Sequence, residues 1–313
     1  MNHFNNLAEI HLDQPSMVTI GVFDGVHRGH QHLIRSLTAE AHASGRLAVA
    51  LTFFPHPDIV LRKLTGRYYL TTPDQRARLM TDLGIDYVVT LPFNDELRQI
   101  RAADFVDQLL EHLHLESLWV GSDFAMGYKR EGNVEFLRAQ GEQKGFTLKV
   151  IDLLMTDHAA ISSTAIRELL LEGRVGEARD LLGRSYSLTG EVVHGEKRGR
   201  QIGYPTANID VWSEQVIPAN GIYAGWALVG DERFMAMTNV GVRPTFDGTN
   251  VTVEAYLLDF DRDLYGQQLT FTFEKYMRPE AKFTTIPDLI ARIDQDVIEG
   301  RAYLTGRHSD GSV

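Results

Sequence analysis

Apolar and polar positions follow two different rhythms along the chain, and the change comes near residue 184. In the first part, short apolar runs at Met17–Ile20, Arg46–Phe54, Ile85–Leu91, Ser117–Val120 and Phe146–Leu153 read as buried strands. Between them lie stretches of helical period. His32–Glu40 is apolar at Leu33, Ile34 and Leu37, and Ala102–His114 at Phe105, Val106, Leu109, Leu110 and Leu113. Pro73–Leu83, with Thr72 as cap and Pro73 at its first position, and Val134–Lys144 are further helices. Alternating strands and helices predict a parallel sheet covered on both faces, an α/β domain of Rossmann-like type. Two more short helices end near Gly183.

From Arg184 onward the period is that of strands: Ser185–Val193, Tyr223–Val229, Phe234–Val240, Val251–Leu258 and Gln268–Tyr276. Turn dipeptides stand between them at Gly230-Asp231, Asp247-Gly248 and Tyr265-Gly266. Short strands at this spacing predict a small antiparallel β-barrel, and Ile286–Leu304 closes the chain as a long amphipathic helix. Two domains are therefore expected, 1–184 and 185–313, with no internal repeat or low-complexity segment.

Composition narrows the chemistry. The chain has no cysteine, which removes disulfides, thiolate nucleophiles and thiolate metal sites, and fits a reducing compartment. No basic-then-apolar leader pattern and no apolar run of membrane-spanning length is visible, so a cytoplasmic protein without a membrane partner is expected. The net charge of −11 is spread over both halves, and the basic footprint of a nucleic-acid binder is missing. Nucleotides remain possible ligands, because glycine turns and Mg²⁺ hold phosphate within an acidic protein.

Candidate chemistry begins where the first strand of the sheet ends. Gly21-Val22-Phe23-Asp24-Gly25-Val26-His27-Arg28-Gly29-His30 joins that strand to a helix. Open α/β sheets bind ligands at such strand ends, and the helix N-terminus there favours an anion. His27 and His30, three apart on a tight turn, can face one side and donate to phosphate oxygens that gain charge during transfer. A cap or surface role would explain either histidine equally well taken alone. Pro55-His56-Pro57 leaves a neighbouring strand end, so His56 is either part of a rigid loop or reaches the same crevice. Gly121-Ser122-Asp123-Phe124 opens a loop that is again glycine-rich and at a strand end. Ser162-Ser163-Thr164 with Arg167 is an N-cap, a clamp for a nucleotide triphosphate, or both.

In the second half, Gly195-Glu196-Lys197-Arg198-Gly199-Arg200-Gln201-Ile202-Gly203-Tyr204-Pro205-Thr206-Ala207-Asn208 is a glycine-rich, basic loop running into an extended segment. A solvated hairpin tip is the plain reading. Thr206 and Asn208 alternate, however, and turn two neutral oxygens to one side, a set that suits Mg²⁺ beside phosphates. Glu254 shares a strand face with Thr252, Tyr256 and Leu258. A surface glutamate is the ordinary explanation; if that face lines the Thr206/Asn208 pocket, Glu254 is a candidate general base for a hydroxyl.

The His-x-Gly-His turn in its strand-turn-helix setting resembles the signature of nucleotidyltransferases of the class I tRNA synthetase-like superfamily. Taken in order, the segments quoted above resemble the bacterial bifunctional riboflavin kinase/FAD synthetases over nearly the whole chain. Gly221-Ile222-Tyr223, Gly241-Val242-Arg243-Pro244-Thr245-Phe246, Leu257-Leu258-Asp259-Phe260, Leu264-Tyr265-Gly266 and Lys282-Phe283 extend the match. Two places depart from it: Ala125-Met126 replaces an arginine-aromatic pair, and Gln75-Arg76 stands where a lysine is usual.

The resemblance implies two ATP-dependent steps. In the second half ATP phosphorylates riboflavin to FMN, with Thr206 and Asn208 holding Mg²⁺ and phosphates and Glu254 taking the hydroxyl proton. In the first half FMN attacks a second ATP to give FAD and pyrophosphate, with His27 and His30 stabilising charge. It implies nucleotide contacts from Gly21, Phe23, Asp24, Gly29, His56, Asp123, Ser163, Thr164 and Arg167, and in the second half from Gly195, Arg200 and Gly203. The His-x-Gly-His turn alone fits another phosphorylated acceptor, such as phosphopantetheine, and a barrel alone fits a binding module; the Pro-Thr-Ala-Asn segment with Glu254 favours flavin.

Overall fold

The computed structural model describes residues 1–152, 154, 161–195, 198–245 and 248–308. The chain divides into two units, Met1–Ser163 and Thr164–Val313.

The first unit is built on β1 (Asn2–Phe4), β2 (Ser16–Ile20), β3 (Leu47–Phe54), β4 (Tyr87–Pro92), β5 (Leu115–Gly121) and β8 (Thr147–Ile151). These pair in parallel in the order β1-β4-β3-β2-β5-β8. Its helices are α1 (Arg28–Ala43), α2 (Pro57–Arg62), α3 (Pro73–Asp82), α4 (Ala102–Leu113) and α5 (Val134–Lys144), and a small ribbon pairs β6 (Ala125–Met126) with β7 (Gly132–Asn133). β2 is buried at all five positions, because a central parallel strand is covered on both faces; its two polar residues, Ser16 and Thr19, donate to the backbone carbonyls of Leu113 and Trp119. Successive residues serve opposite layers. Val18 and Val49 pack with Phe105 and Leu109 of α4, whereas Met17 and Ala48 pack with Ile34 and Leu37 of α1 and Met80 of α3. β2 has β3 on one side and β5 on the other, so the strand order reverses there, and the carboxyl ends of β2 and β5 flank the crevice of the sheet.

The sequence pattern misses three elements here: β1, α2 and the β6–β7 ribbon. Each is too short to show a period, and β1 exists only by pairing with β4. The last strand of the sheet is shorter than expected, and Leu153 lies outside the described residues.

The second unit begins at Thr164, within α6 (Ser163–Leu171), and continues with α7 (Val175–Leu182); Ile166, Leu170, Ala178 and Leu182 of these helices are buried. A cut near residue 184 marks where the strands begin; packing groups α7 with β9 (Tyr186–Val193) and β14 (Gln268–Arg278). β10 (Ala207–Val211), β11 (Gly221–Val229), β12 (Glu232–Thr245) and β13 (Gly248–Leu257) complete a closed antiparallel barrel, β10-β13-β12-β11-β14-β9. The expected strands are all present. β10 is additional, because the alternating Ala207-Asn208-Ile209-Asp210-Val211 run is itself a barrel strand and not only an extended loop. The turn expected at Asp247 lies outside the described residues at that position. One helical turn, α8 (Arg198–Gln201), precedes β10, and α9 (Ile286–His308) packs on the barrel through Leu304 against Ala224, Trp226 and Met237.

Candidate functional site

The turn after β2 is held in a conformation that its residues resist. Phe23 and Val26 have φ of 53° and 39°, in the left-handed region that a bulky or β-branched side chain disfavours, and Gly25 sits between them at 77°. Burial overrides that preference: Phe23 and Val26 are core residues. Asp24 fastens the turn from beneath. Its carboxylate accepts from the backbone N–H of Leu70 at 3.0 Å and of Thr71 at 3.2 Å, and its carbonyl accepts from Ser163 Oγ at 2.8 Å. Gly21 leaves room for the Phe23 ring, which would lie 2.8 Å from an added Cβ. Gly29 lies against the His27 ring.

The two histidines of the turn form one unit. Their rings stack at 3.6 Å with 18° between planes, and Phe23 meets His30 edge-on at 5.2 Å. His27 caps α1: its Nδ1 accepts from the His30 N–H at 3.4 Å. An Nδ1 that accepts does not carry the ring proton, so the neutral ring presents Nε2–H as a donor. His56 repeats the device on α2, with Nδ1 accepting from Asp58 N–H at 3.0 Å and its own N–H donating to Tyr69 Oη. His30 Nδ1 is buried without a hydrogen-bond partner among the described residues. Burial first, then His27, then the charge of Arg76 hold the His30 imidazole well below the usual histidine range. At neutral pH it is an uncharged ring.

Arg76 is the main residue of this region that sequence reasoning set aside. Its side chain is fully buried, and Nη1 donates to Val22 O at 2.7 Å, Thr52 Oγ1 at 3.1 Å and Phe53 O at 3.1 Å. It ties the turn after β2 to the end of β3. Nε and Nη2 have no partner among the described residues, and burial lowers the guanidinium pKa without discharging it. An amphipathic helix that places an arginine next to buried Ala77 is the signal that marks it. Asp123 is exposed in the loop after β5. Ser163 reaches Asp24, whereas Thr164, exposed, and Arg167, buried, belong to the second unit.

In the barrel the candidate residues lie in one row. Asn208 pairs with Glu254, and Glu254 with Asn239, across β10, β13 and β12. Residues opposite one another on neighbouring strands share a face, so Glu254 sits between two amides. Thr206 Oγ1 donates to Glu254 Oε2 at 3.4 Å, and Thr252 Oγ1 to Oε1 at 3.5 Å. Two cavities meet here. One of about 240 Å³ is lined by Glu254, Asn239, Tyr256, Phe283 and Ile293; one of about 430 Å³ by Asn208, Gly195, Arg200, Tyr265 and Arg262. Thr206 lines both. Gly195 leaves room for the Asn208 amide, which an added Cβ there would overlap. Gly203, at φ 90°, turns the chain into Tyr204.

Three contacts that the sequence did not reveal brace the smaller cavity. Tyr204 donates to the Asp294 carboxylate, which pushes the phenol up to about 12. Arg278 binds buried Asp296 through Nε at 3.0 Å and Nη2 at 2.6 Å, and Arg292 joins the same carboxylate at 2.8 Å. Asn239 Nδ2 donates to Glu280 at 3.2 Å. Tyr204–Asp294, Arg278–Asp296 and Asn239–Glu280 each join different segments of the chain, so no local pattern announces them; Arg292 and Asp296, four apart on α9, are the one local pair. Among the described residues no helix is long and apolar enough to cross a membrane, and no cluster of three or more histidine or acidic side chains is placed to hold a metal ion.

These geometries agree with the comparisons to known proteins. Residues 9–165 match the family model described as FAD synthetase, and residues 182–304 that described as riboflavin kinase. A Listeria monocytogenes protein named bifunctional riboflavin kinase/FMN adenylyltransferase is 36% identical over 93% of both chains. An Escherichia coli K12 protein of the same name is 34% identical over 92% of both. A crystal structure described as a macrolide-efflux protein from Streptococcus pneumoniae superposes with a TM-score of 0.86 at 28% identity, covering 96% of this chain and 98% of that one. With both family models matched in order and such relatives covered almost end to end, the chain belongs to the bifunctional riboflavin kinase/FMN adenylyltransferases.

Proposed function

We propose that the wall between the two barrel cavities is where riboflavin meets ATP, with Glu254 as general base. The observation that carries this is Thr206, which borders both cavities and hydrogen-bonds Glu254. The smaller cavity, with Tyr256, Phe283 and Ile293, suits a flavin; the larger, with Arg200 and Arg262, suits a polyphosphate. Glu254 takes the proton of the ribityl 5′-hydroxyl as its oxygen bonds to the γ-phosphorus of ATP. The bond from that phosphorus to the bridging oxygen breaks, and ADP leaves. Gly195, Arg200 and Gly203 shape the nucleotide side.

The Thr206 hydroxyl and Asn208 amide fit a Mg²⁺ site: both are neutral oxygen donors at the polyphosphate cavity, with a carboxylate beside them and no thiolate or imidazole. When bound, the ion would neutralise phosphate charge in the transfer. The Thr206 hydroxyl donates its hydrogen bond to Glu254, which leaves the oxygen's lone pairs for that role.

At the first site the FMN phosphate bonds to the α-phosphorus of a second ATP, the α–β bridging bond breaks, and pyrophosphate leaves. The nucleophile is already ionised, so donors matter more than a base. His27 and His56, each with Nδ1 occupied by a helix N–H, present Nε2–H to phosphate oxygens; His30, uncharged, stacks on His27. Gly21, Phe23, Asp24 and Gly29 form the turn that aims His27 and His30, and Asp123 and Ser163 add nucleotide contacts from the same unit. A cytoplasmic setting, where ATP is made, belongs to this reading, and the acidic balance of the chain supports small-molecule substrates over nucleic acid.

Incubating the protein with riboflavin, ATP and Mg²⁺, and separating flavins over time, tests both steps. FMN that rises first and then gives way to FAD, and that stops when Mg²⁺ is chelated, is the expected course. FAD appearing without FMN would overturn the order.

A further inference from the structure

Asn239 on β12 stands directly opposite Glu254 on β13, and both line the smaller barrel cavity. Its two amide atoms have different fates. Nδ2 donates to Glu280 Oε1 at 3.2 Å. A carboxylate only accepts, so the nitrogen must face Glu280 and Oδ1 must face away. Oδ1 is buried and has no partner among the described residues. The arrangement is built around a glycine: a Cβ on Gly241 would overlap Glu280 Oε1 and lie 3.2 Å from Asn239 Nδ2. A buried acceptor without a donor is costly, and such atoms commonly await one from a ligand. With Glu254 and Glu280 flanking it, the position repels an anion and favours an O–H or N–H group.

We propose that Asn239 recognises the polyol chain of riboflavin: its Oδ1 accepts a hydrogen bond from a secondary ribityl hydroxyl while Glu254 acts on the terminal one, and Glu280 keeps the amide the right way round. This rests on the assignment of the smaller cavity to the flavin. Asn239 is thus a substrate-binding residue, and Glu280 a positioning residue one step removed. A site that hydrogen-bonds a hydroxyl discriminates against an analogue lacking it, because the acceptor is then left unpaired.

The test uses the full chain and compares Asn239→Ala with the parent on riboflavin and on 2′-, 3′- and 4′-deoxyriboflavin, with FMN adenylylation by the same preparation as an internal control of folding. The expected result is a KM for riboflavin raised about tenfold, KM for ATP unchanged, and a penalty that shrinks to within about twofold for one of the three deoxy analogues. Asn239→Leu, which keeps the volume and lacks the acceptor, is expected to repeat this pattern if the alanine variant does not fold. Glu280→Gln, whose amide can donate or accept, is expected to raise KM for riboflavin by less. An equal penalty on riboflavin and all three analogues would overturn the role of Asn239. A rise in KM for ATP with that for riboflavin unchanged would instead overturn the assignment of the cavity.

Discussion

Thr206 Oγ1 lies 3.4 Å from Glu254 Oε2, and the pair forms the boundary between the two cavities of the barrel. If the two cavities hold the two substrates as proposed, that one hydrogen bond couples the base to the phosphate site. Glu254→Gln keeps the shape and removes the base. It is expected to slow FMN formation by about two to four orders of magnitude while added FMN is still converted to FAD. Chromatography of flavin products from each substrate checks this; loss of FMN adenylylation as well would disprove separate sites.

Gly195 controls the other side of that boundary. Its missing Cβ is what allows the Asn208 amide to lie where it does. The obstructed atom is the end of a flexible side chain, so Gly195→Ala is expected to leave the fold intact and displace the amide. The Mg²⁺ concentration for half-maximal kinase rate and the KM for ATP should both rise, with the melting temperature little changed. A titration of kinase rate against Mg²⁺ reads this directly.

His30 makes the first unit sensitive to acid. Its imidazole titrates well below 6.5 in the fold, chiefly because it is buried, and near that value when unfolded. The unfolded chain therefore binds a proton that the folded chain refuses. Stability is full above the unfolded value and falls as pH drops from there toward the folded one. The loss is at most about 1.4 kcal/mol per pH unit in that window. His30→Gln is expected to flatten the melting temperature between about pH 7.5 and 5.5 relative to the parent, and to stop FAD formation while FMN formation continues. Calorimetry at a series of pH values measures the first effect; an unchanged slope would show that another group titrates.

Arg76 joins three acceptors from beneath the turn after β2. Arg76→Ala opens a cavity and releases Val22 and Phe53, and is expected to cost roughly 3 kcal/mol or more. Arg76→Met, which refills most of the volume, should recover much of that stability. It should not restore the FAD step, since the turn loses its tie to β3. Denaturant unfolding of the two variants alongside adenylylation assays separates packing from positioning.

Much of the architecture was legible because its signals are local. The apolar run Met17–Ile20 and the helical spacing of Leu33, Ile34 and Leu37 describe a buried strand and an amphipathic helix wherever they occur. The Gly21–His30 turn and the Thr206–Asn208 alternation were likewise visible, because backbone geometry and residue type fix which side chains share a side. What escaped was short or tertiary. β1 needs β4 to exist, and Asn239 looks like any strand asparagine until Glu254, Glu280 and Gly241 surround it.

The sequence by itself thus determined the alternation of elements, the two classes of domain and the residue types able to hold phosphate, each set by spacing along a few tens of residues. Tertiary structure decided which of those residues meet. It placed Asn208, Glu254 and Asn239 in one row by strand register, turned Asp24 inward to hold the loop, and buried Arg76 beneath it. Those outcomes depend on contacts between residues far apart in the chain, where packing and burial, not local preference, set the energy.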